Sequence, residues 1–202
     1  DAGASKVSVF DRPTSDPEVC YRLSGIPKAV ETINDPRVSC FHLDPAGFIP
    51  IKIKNAQWLE EWTFHKEALE ADAYINVPSA KHHAWSKVTF GLKNVMGVIG
   101  GKRFSIHYFV SKKVADLNTI IRPTLNVLDA TRVLMAGGPE GGSVEDVKAH
   151  NTVLASTDVV ALDAFATKHF FDLEPADIGI IEASYNAGLG QMNLSKIDVL
   201  KA

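Results

Sequence analysis

The 202-residue chain predicts an α/β fold: a single domain, residues 1–202, built on a mainly parallel sheet flanked by helices. Three observations carry this. Segments with the two-residue alternation of strands exchange along the chain with segments of helical i, i+3, i+4 spacing, the pattern of parallel strands joined by crossover helices. Hydrophobic residues make up 46% and charged residues 22%, ordinary for one globular core. No internal repeat, low-complexity run or disordered linker divides the chain.

Taken in order, Lys6–Phe10 alternates and reaches Asp11, a strand that presents an acid at its end. Only Ala2-Gly3-Ala4, which resembles the end of a helix, precedes it, so the intact polypeptide is expected to begin further upstream or to have that place filled by another chain. Asp16-Pro17 is a helix start, acid as cap and proline in the first turn, and the helix runs towards Gly25. A second helix covers Pro27–Asn34, and Val38–Leu43 is a strand. Phe48–Ile53 is another strand, placed at an edge by Pro50. Trp58–Ala71 reads as a helix in which Trp58, Trp62 and Leu69 pack. Ala73–Val77 is a short buried strand stopped by Pro78, and Ser79–Lys87 is the loop that follows, at the carboxyl end of the sheet where ligands bind.

Val88, Leu92, Val95 and Ile99 then make the buried stripe of a helix, with Phe90, Lys93, Asn94 and Gly97 on its other side. Ser111 caps a helix through Ile121 whose stripe is Val114, Leu117 and Ile121, with Asp116 facing elsewhere. Pro123–Asp129 is a strand ending on Asp129. Met135–Ser143 is a glycine loop of the kind that can cradle phosphate, without the Gly-Lys-Ser/Thr of a P-loop. Thr152–Ala155 is a strand, and Asp158 caps a helix through Phe170 that contains Asp163, a position where an acid ordinarily faces solvent. A helix over Asp177–Asn186 ends at Gly188, and Ile197–Leu200 is the last strand.

Charge is distributed unevenly. Tyr74–Ala115 holds no Asp or Glu but seven basic residues (Lys81, Lys87, Lys93, Lys102, Arg103, Lys112, Lys113) and His82, His83 and His107. Taking those seven from 21 leaves 14 basic residues against all 24 acidic ones elsewhere, so a chain of net charge −3 has gathered its positive charge in one place. Such a cluster suits a small anionic molecule. Lys81, Thr89, Lys93, Asn94 and Arg103 are the candidates to hold it. Asp129 and Asp163 are the acids expected to balance the excess charge, and His83 or His107 would move protons, because an imidazole titrates near working pH. The alternative is a non-enzymatic redox or accessory protein whose basic face meets an acidic partner protein. No metal site is expected, since the histidines lack HxH or HExxH spacing and the lysines repel a cation. The net acidity gives no case for nucleic acid, and no apolar run approaches the roughly 20 residues of a membrane span. The cofactor is left open: Cys20 and Cys40 alone make no iron–sulfur motif, and a disulfide or two buried thiols remain open for them.

Several segments, Ala73-x-Ile-Asn-Val-Pro-x-x-Lys81-x-His83, Thr89-x-Gly-Leu-Lys93-Asn94-x-x-Gly97, Ala115-Asp-Leu117, Leu128-Asp129, Gly138-Pro139-x-Gly-Gly142, Ala155-Ser-Thr-Asp158-x-Val-Ala-x-Asp163 and Gly188-x-Gly190, together resemble the family catalogued as domain of unknown function 362, well over residues 70–202 and loosely over 1–70. Members usually carry an upstream strand ending in Lys-Pro-Asn, which this chain lacks; the resemblance thus also implies a missing N-terminal segment. Some members carry a cysteine-rich ferredoxin module and others a twin-arginine export leader. This chain is more similar to the latter, which implies export to the periplasm by a removed leader, with the cytoplasm as the alternative. The resemblance brings no catalytic residues with it.

Overall fold

The computed structural model describes residues 3–201, so Ala2 of the Ala2-Gly3-Ala4 segment lies outside the described residues. The fold is α/β with mixed sheets. β1 (Val7–Asp11) pairs in parallel with β2 (Val38–His42), and Asp11 lies opposite His42. The crossover between them is α1 (Pro17–Ser24) and α2 (Ile26–Ile33). The Asp16 carboxylate accepts the Val19 N–H at 3.0 Å, so the predicted cap forms. Gly25, at φ +71°, ends one helix and starts the next, a left-handed turn that glycine adopts without steric cost.

β3 (Phe48–Lys52) and β4 (Glu61–His65) form an antiparallel pair. This corrects the helix expected over Trp58–Ala71. Glu61–His65 alternates, is rich in aromatic and β-branched residues, and finds an open partner in β3, leaving one helical turn, α3 (Lys66–Leu69).

The five-stranded sheet centres on β8 (Leu125–Leu134). β5 (Ile75–Asn76) and β6 (Ser79–His83) both run parallel to it, as two pieces of one strand broken at Val77-Pro78. β9 (Val147–Ser156) lies antiparallel along the opposite side, since Asn126 pairs with both Asn76 and Ser156. β7 (Lys87–Thr89) pairs antiparallel with the outer side of β6. The mainly parallel sheet of the sequence reading is therefore not what these strands make. The short turn of the β6–β7 hairpin joins only antiparallel strands, and the glycine loop over residues 135–146 returns the chain antiparallel from β8 into β9. The expected loop Ser79–Lys87 is largely this first hairpin. Ile197–Leu200 makes no strand; among the described residues no ladder partner reaches it, and Leu200 is exposed.

The stripe Val88, Leu92, Val95 and Ile99 is buried as expected, but not by one helix. Val88 belongs to β7, α4 spans only Gly91–Asn94, a 3-10 turn covers Val95–Val98, and Ile99 bridges to Phe64. Phe90, expected on the outer side, is buried too. α5 (Val110–Ile120), α6 (Val159–Phe171) and α7 (Gly179–Asn186) pack around this segment. One apolar cluster connects Phe64, Leu92, Leu117, Leu128, Leu162 and Ile181, each such side chain contributing about 1.5–3 kcal/mol on burial. Cys20 and Cys40 are free thiols. Among the described residues no helix is long and apolar enough to cross a membrane.

Candidate functional site

The β6–β7 hairpin sets the first part of the site. Lys81 lies opposite Thr89, and His83 opposite Lys87. Directly opposed residues share a face, and so do alternate residues along a strand, so Lys81, His83 and Thr89 project together. His82 points the other way, where its Nδ1 accepts the Gly138 N–H at 3.2 Å. The glycine loop is pressed against β6 there: a Cβ on Gly138 would lie 2.2 Å from the His82 carbonyl oxygen, and Ala84 N–H donates to the Gly138 carbonyl. Close packing accounts for that glycine.

From Thr89 the chain turns into α4, which is tied down from behind. Asp163, expected in solvent, is buried and accepts the N–H groups of Gly91 at 2.9 Å and Leu92 at 3.0 Å. Burial pushes its carboxyl up to about 7, against the two amides that favour the anion. A Cβ on Gly91 would stand 2.8 Å from Val159 Cγ2 and 3.0 Å from Asp163 Oδ1, so the tether requires glycine. Asn94 donates to Asn76 Oδ1 at 2.7 Å, and Asn76 donates in turn to Asn126 Oδ1 and the Gly91 carbonyl. Asn118 on α5 donates to the Leu92 carbonyl at 2.9 Å. Asp163 and Asn94 therefore position α4 through its backbone and the sheet.

Lys93 is left half-buried on the front. Burial first, then the charges of Lys81 and Arg103, push its ammonium down to about 8. The acid within this field is Asp11 from the end of β1. The sequence reading marked it as an acid at a strand end but did not connect it to the lysines. A Cβ on Gly97 would lie 2.2 Å from Asp11 Oδ1, and Arg12 N–H donates to the Gly97 carbonyl at 2.9 Å, which brings β1 against the turn after α4. Asp11 keeps an exposed edge, yet the surrounding protein raises its carboxyl, opposed by the Arg12 amide, Arg103 and Lys81.

Arg103 donates to the carbonyls of Arg12, Met96 and Pro13. Its guanidinium is a staple between the residues after β1 and the turn after α4. Asp129 corrects the sequence reading. It lies within β8 rather than at its end, because the strand continues to Leu134, the residue that pairs with Lys81. Its carboxylate accepts the Thr131 N–H at 2.9 Å and hydroxyl at 2.7 Å, which lowers its pKa, and it does not balance the lysines.

His83 and His107 are stacked, their rings 5.5 Å apart and 16° from parallel. His83 Nδ1 accepts the N–H groups of Trp85 and Ser86, so the neutral ring carries its proton on Nε2. Burial and then Lys93 lower its pKa to about 4, with His107, His82 and Lys81 adding to the effect. His107 Nδ1 lies 3.2 Å from the Phe104 carbonyl, which can only accept, so its basic nitrogen is Nε2. Burial and Lys93 lower the pKa of His107 as well, against the Phe104 hydrogen bond and Glu140. The Thr89 hydroxyl is buried without a hydrogen-bond partner. The sequence reading also missed Asp116, buried on α5 and accepting the N–H groups of Gln57, Trp58 and Leu59. Its signal was an acid flanked by apolar residues in a helix otherwise turned inward.

These features describe an α/β protein with a basic cluster where the end of β1, the β6–β7 hairpin and α4 meet. The chain belongs to the family described as Domain of unknown function (DUF362), whose model matches residues 1–168. The match thus takes in the first 70 residues, which the sequence resembles only loosely, and ends within α6, before Gly188-x-Gly190. The chain is also 33% identical over 132 residues to a thylakoid-associated protein of Synechocystis sp., an alignment covering 61% of this chain and 40% of that protein.

Proposed function

We propose that this chain binds a small carboxylate or phosphate over Lys81, Lys93 and Thr89 and transfers a proton to or from it. The observation that carries the reading is Lys93, an ammonium half-buried beside Lys81 and Arg103, whose charges Asp11 offsets at the edge of the cluster. Holding poorly paired charge away from water costs several kcal/mol per ion, and a bound anion offsets that cost. The unpartnered Thr89 hydroxyl on the same face supplies a neutral donor. In this reading His83 Nε2–H donates to the anion, while His107 Nε2, whose neutral form persists at pH 7, accepts the proton.

Titration calorimetry with inorganic phosphate and with small carboxylates tests this. Lys93→Ala is expected to weaken the best of these anions more than tenfold while the circular dichroism spectrum stays unchanged. Equal affinity in the variant would end the proposal. In the alternative reading, a non-enzymatic accessory or redox protein, Lys93→Ala would instead reduce capture of an acidic partner protein and leave small anions unbound by either chain.

A further inference from the structure

We propose that the face formed by Trp85, Phe104, Tyr108 and Phe109 is a docking surface for an anionic lipid bilayer. Among the described residues, the aromatic side chains classed as exposed are Trp58, Trp85, Phe104, Tyr108, Phe109 and Tyr185, and all but Tyr185 belong to this region. They are not scattered. The Trp85 ring lies 5.8 Å from Phe104 and 6.2 Å from Tyr108, and Phe104 lies 6.0 Å from Tyr108. Phe109 follows in the chain and packs at 4.2 Å on Trp58. Trp85, Phe104, Tyr108 and Phe109 are 54–62% exposed, so contact with one another leaves more than half of each in water. Contiguous exposed apolar surface of this kind marks an interaction site.

The backbone holds these residues outward. Trp85 is in the turn of the β6–β7 hairpin, Phe104 lies in the 3-10 turn Arg103–His107, and Tyr108 directly follows it. Phe109 caps α5 at φ +64°, a left-handed conformation that a bulky side chain adopts only at a steric cost. The fold tolerates that cost and places the ring in solvent.

Charge selects the occupant. The acid-free stretch Tyr74–Ala115 supplies every residue of the face but Trp58, and Lys87, Lys102 and Lys112 are exposed beside it. Lys112 Nζ stands 5.4 Å from the Trp58 ring centroid. Acids stand at its margins: Glu140 is felt at His107, buried Asp116 accepts the Trp58 N–H, and Lys87 Nζ donates to the Asp177 carbonyl at 3.0 Å. Aromatic rings on separate turn tips, ringed by long cationic side chains, suit the boundary of a bilayer: Trp and Tyr place an apolar body below a polar edge, and lysine stems extend to anionic head groups. An acidic protein would satisfy the lysines but has no need of projecting rings on several turns. His107 joins this face to the basic cluster, its ring 5.5 Å from both Trp85 and His83, so docking sets the cluster at the lipid surface.

The test is co-sedimentation of the chain with phosphatidylglycerol–phosphatidylcholine vesicles, with phosphatidylcholine vesicles and soluble polyglutamate as controls. Binding to the anionic vesicles is expected, with a blue shift of tryptophan fluorescence in a Trp58→Phe, Trp62→Phe variant that keeps Trp85. The triple variant Trp85→Ser, Phe104→Ser, Phe109→Ser should lose at least tenfold in vesicle affinity with its melting temperature unchanged; should it fail to fold, the fluorescence shift decides. Absence of sedimentation, undiminished binding by a folded triple variant, or equal affinity for polyglutamate without a blue shift would each overturn the proposal.

Discussion

The two sides of α4 handle polarity in opposite ways. Behind it, the polar groups are paired: Asp163 on two amides, Asn76 on Asn126 and the Gly91 carbonyl, Asn118 on the Leu92 carbonyl. In front, Lys81, Lys93 and Arg103 crowd together with Asp11 as counter-charge, two histidines are held neutral, and a buried hydroxyl is unpartnered. The same short element therefore carries a satisfied network and an unsatisfied one. Buried hydrogen-bonded groups fix structure, whereas uncompensated charge is tolerated where something else supplies the balance. The back holds α4 still, and the front carries the charge on which the proposed anion binding rests.

The most damaging way to break this contrast is Asp163→Ala. It orphans the buried amides of Gly91 and Leu92, and urea unfolding should show a loss of about 2–4 kcal/mol. A loss below about 1 kcal/mol, the size of one ordinary hydrogen bond, would mean that the back does not hold α4.

The front should respond in the opposite direction. Lys93→Met removes the crowded charge and, in the absence of ligand at pH 7, should raise stability by about 1 kcal/mol while removing anion binding. Because the Lys93 pKa is lowered, the cost of its charge is fully present below about 8 and is relieved as pH rises from there towards the unfolded value of 10.5. The stability difference between Lys93→Met and the parent chain should therefore shrink between pH 8 and pH 10. A difference that stays flat across that range would show that Lys93 is solvated.

His83 gives the smallest and sharpest effect. Its folded pKa, about 4, lies below the ordinary imidazole value of 6.5, so the unfolded chain binds more protons in between, and stability falls as pH drops from 6.5 towards 4. Asp163, raised to about 7, runs the other way over much of that window. The comparison that isolates His83 is His83→Gln against the parent chain: thermal melts at pH 7 and pH 4.5 should show the parent losing a few degrees relative to the variant at the lower pH. A constant gap would remove the buried, neutral His83.

What was legible in the sequence was mostly local. Asp16-Pro17 and Asp158 announce their helices because a cap acts within one turn, and the acid-free stretch marked the gathering of positive charge because charge is counted without knowing the fold. The stripe named the right buried residues but the wrong element, since Val88 and Ile99 are buried by strand contacts that helical spacing happens to match. Glu61–His65 read as helix because its partner, Phe48–Lys52, is not implied by its own residues. The partners of Arg103, Asp163 and Asp11 were hidden for the same reason. Each is set by a contact across about 70 to 90 residues, and composition carries no record of which acid meets which base.

The approach of Asp11 to Gly97 also has a kinetic meaning. The basic cluster draws on residues 11 and 93, separated by 82 positions, and joins the β1–β2 unit to a hairpin that can form from nearby residues and to α4. Closing so long a loop comes at an entropic cost that local contacts do not incur, and distant contacts form late for that reason. During refolding, the β6–β7 hairpin should acquire its protection from hydrogen exchange before α4 does. On the proposed function, the appearance of anion binding would then mark the moment at which the N-terminal unit docks, and the ligand would serve as a clock for the last step of folding.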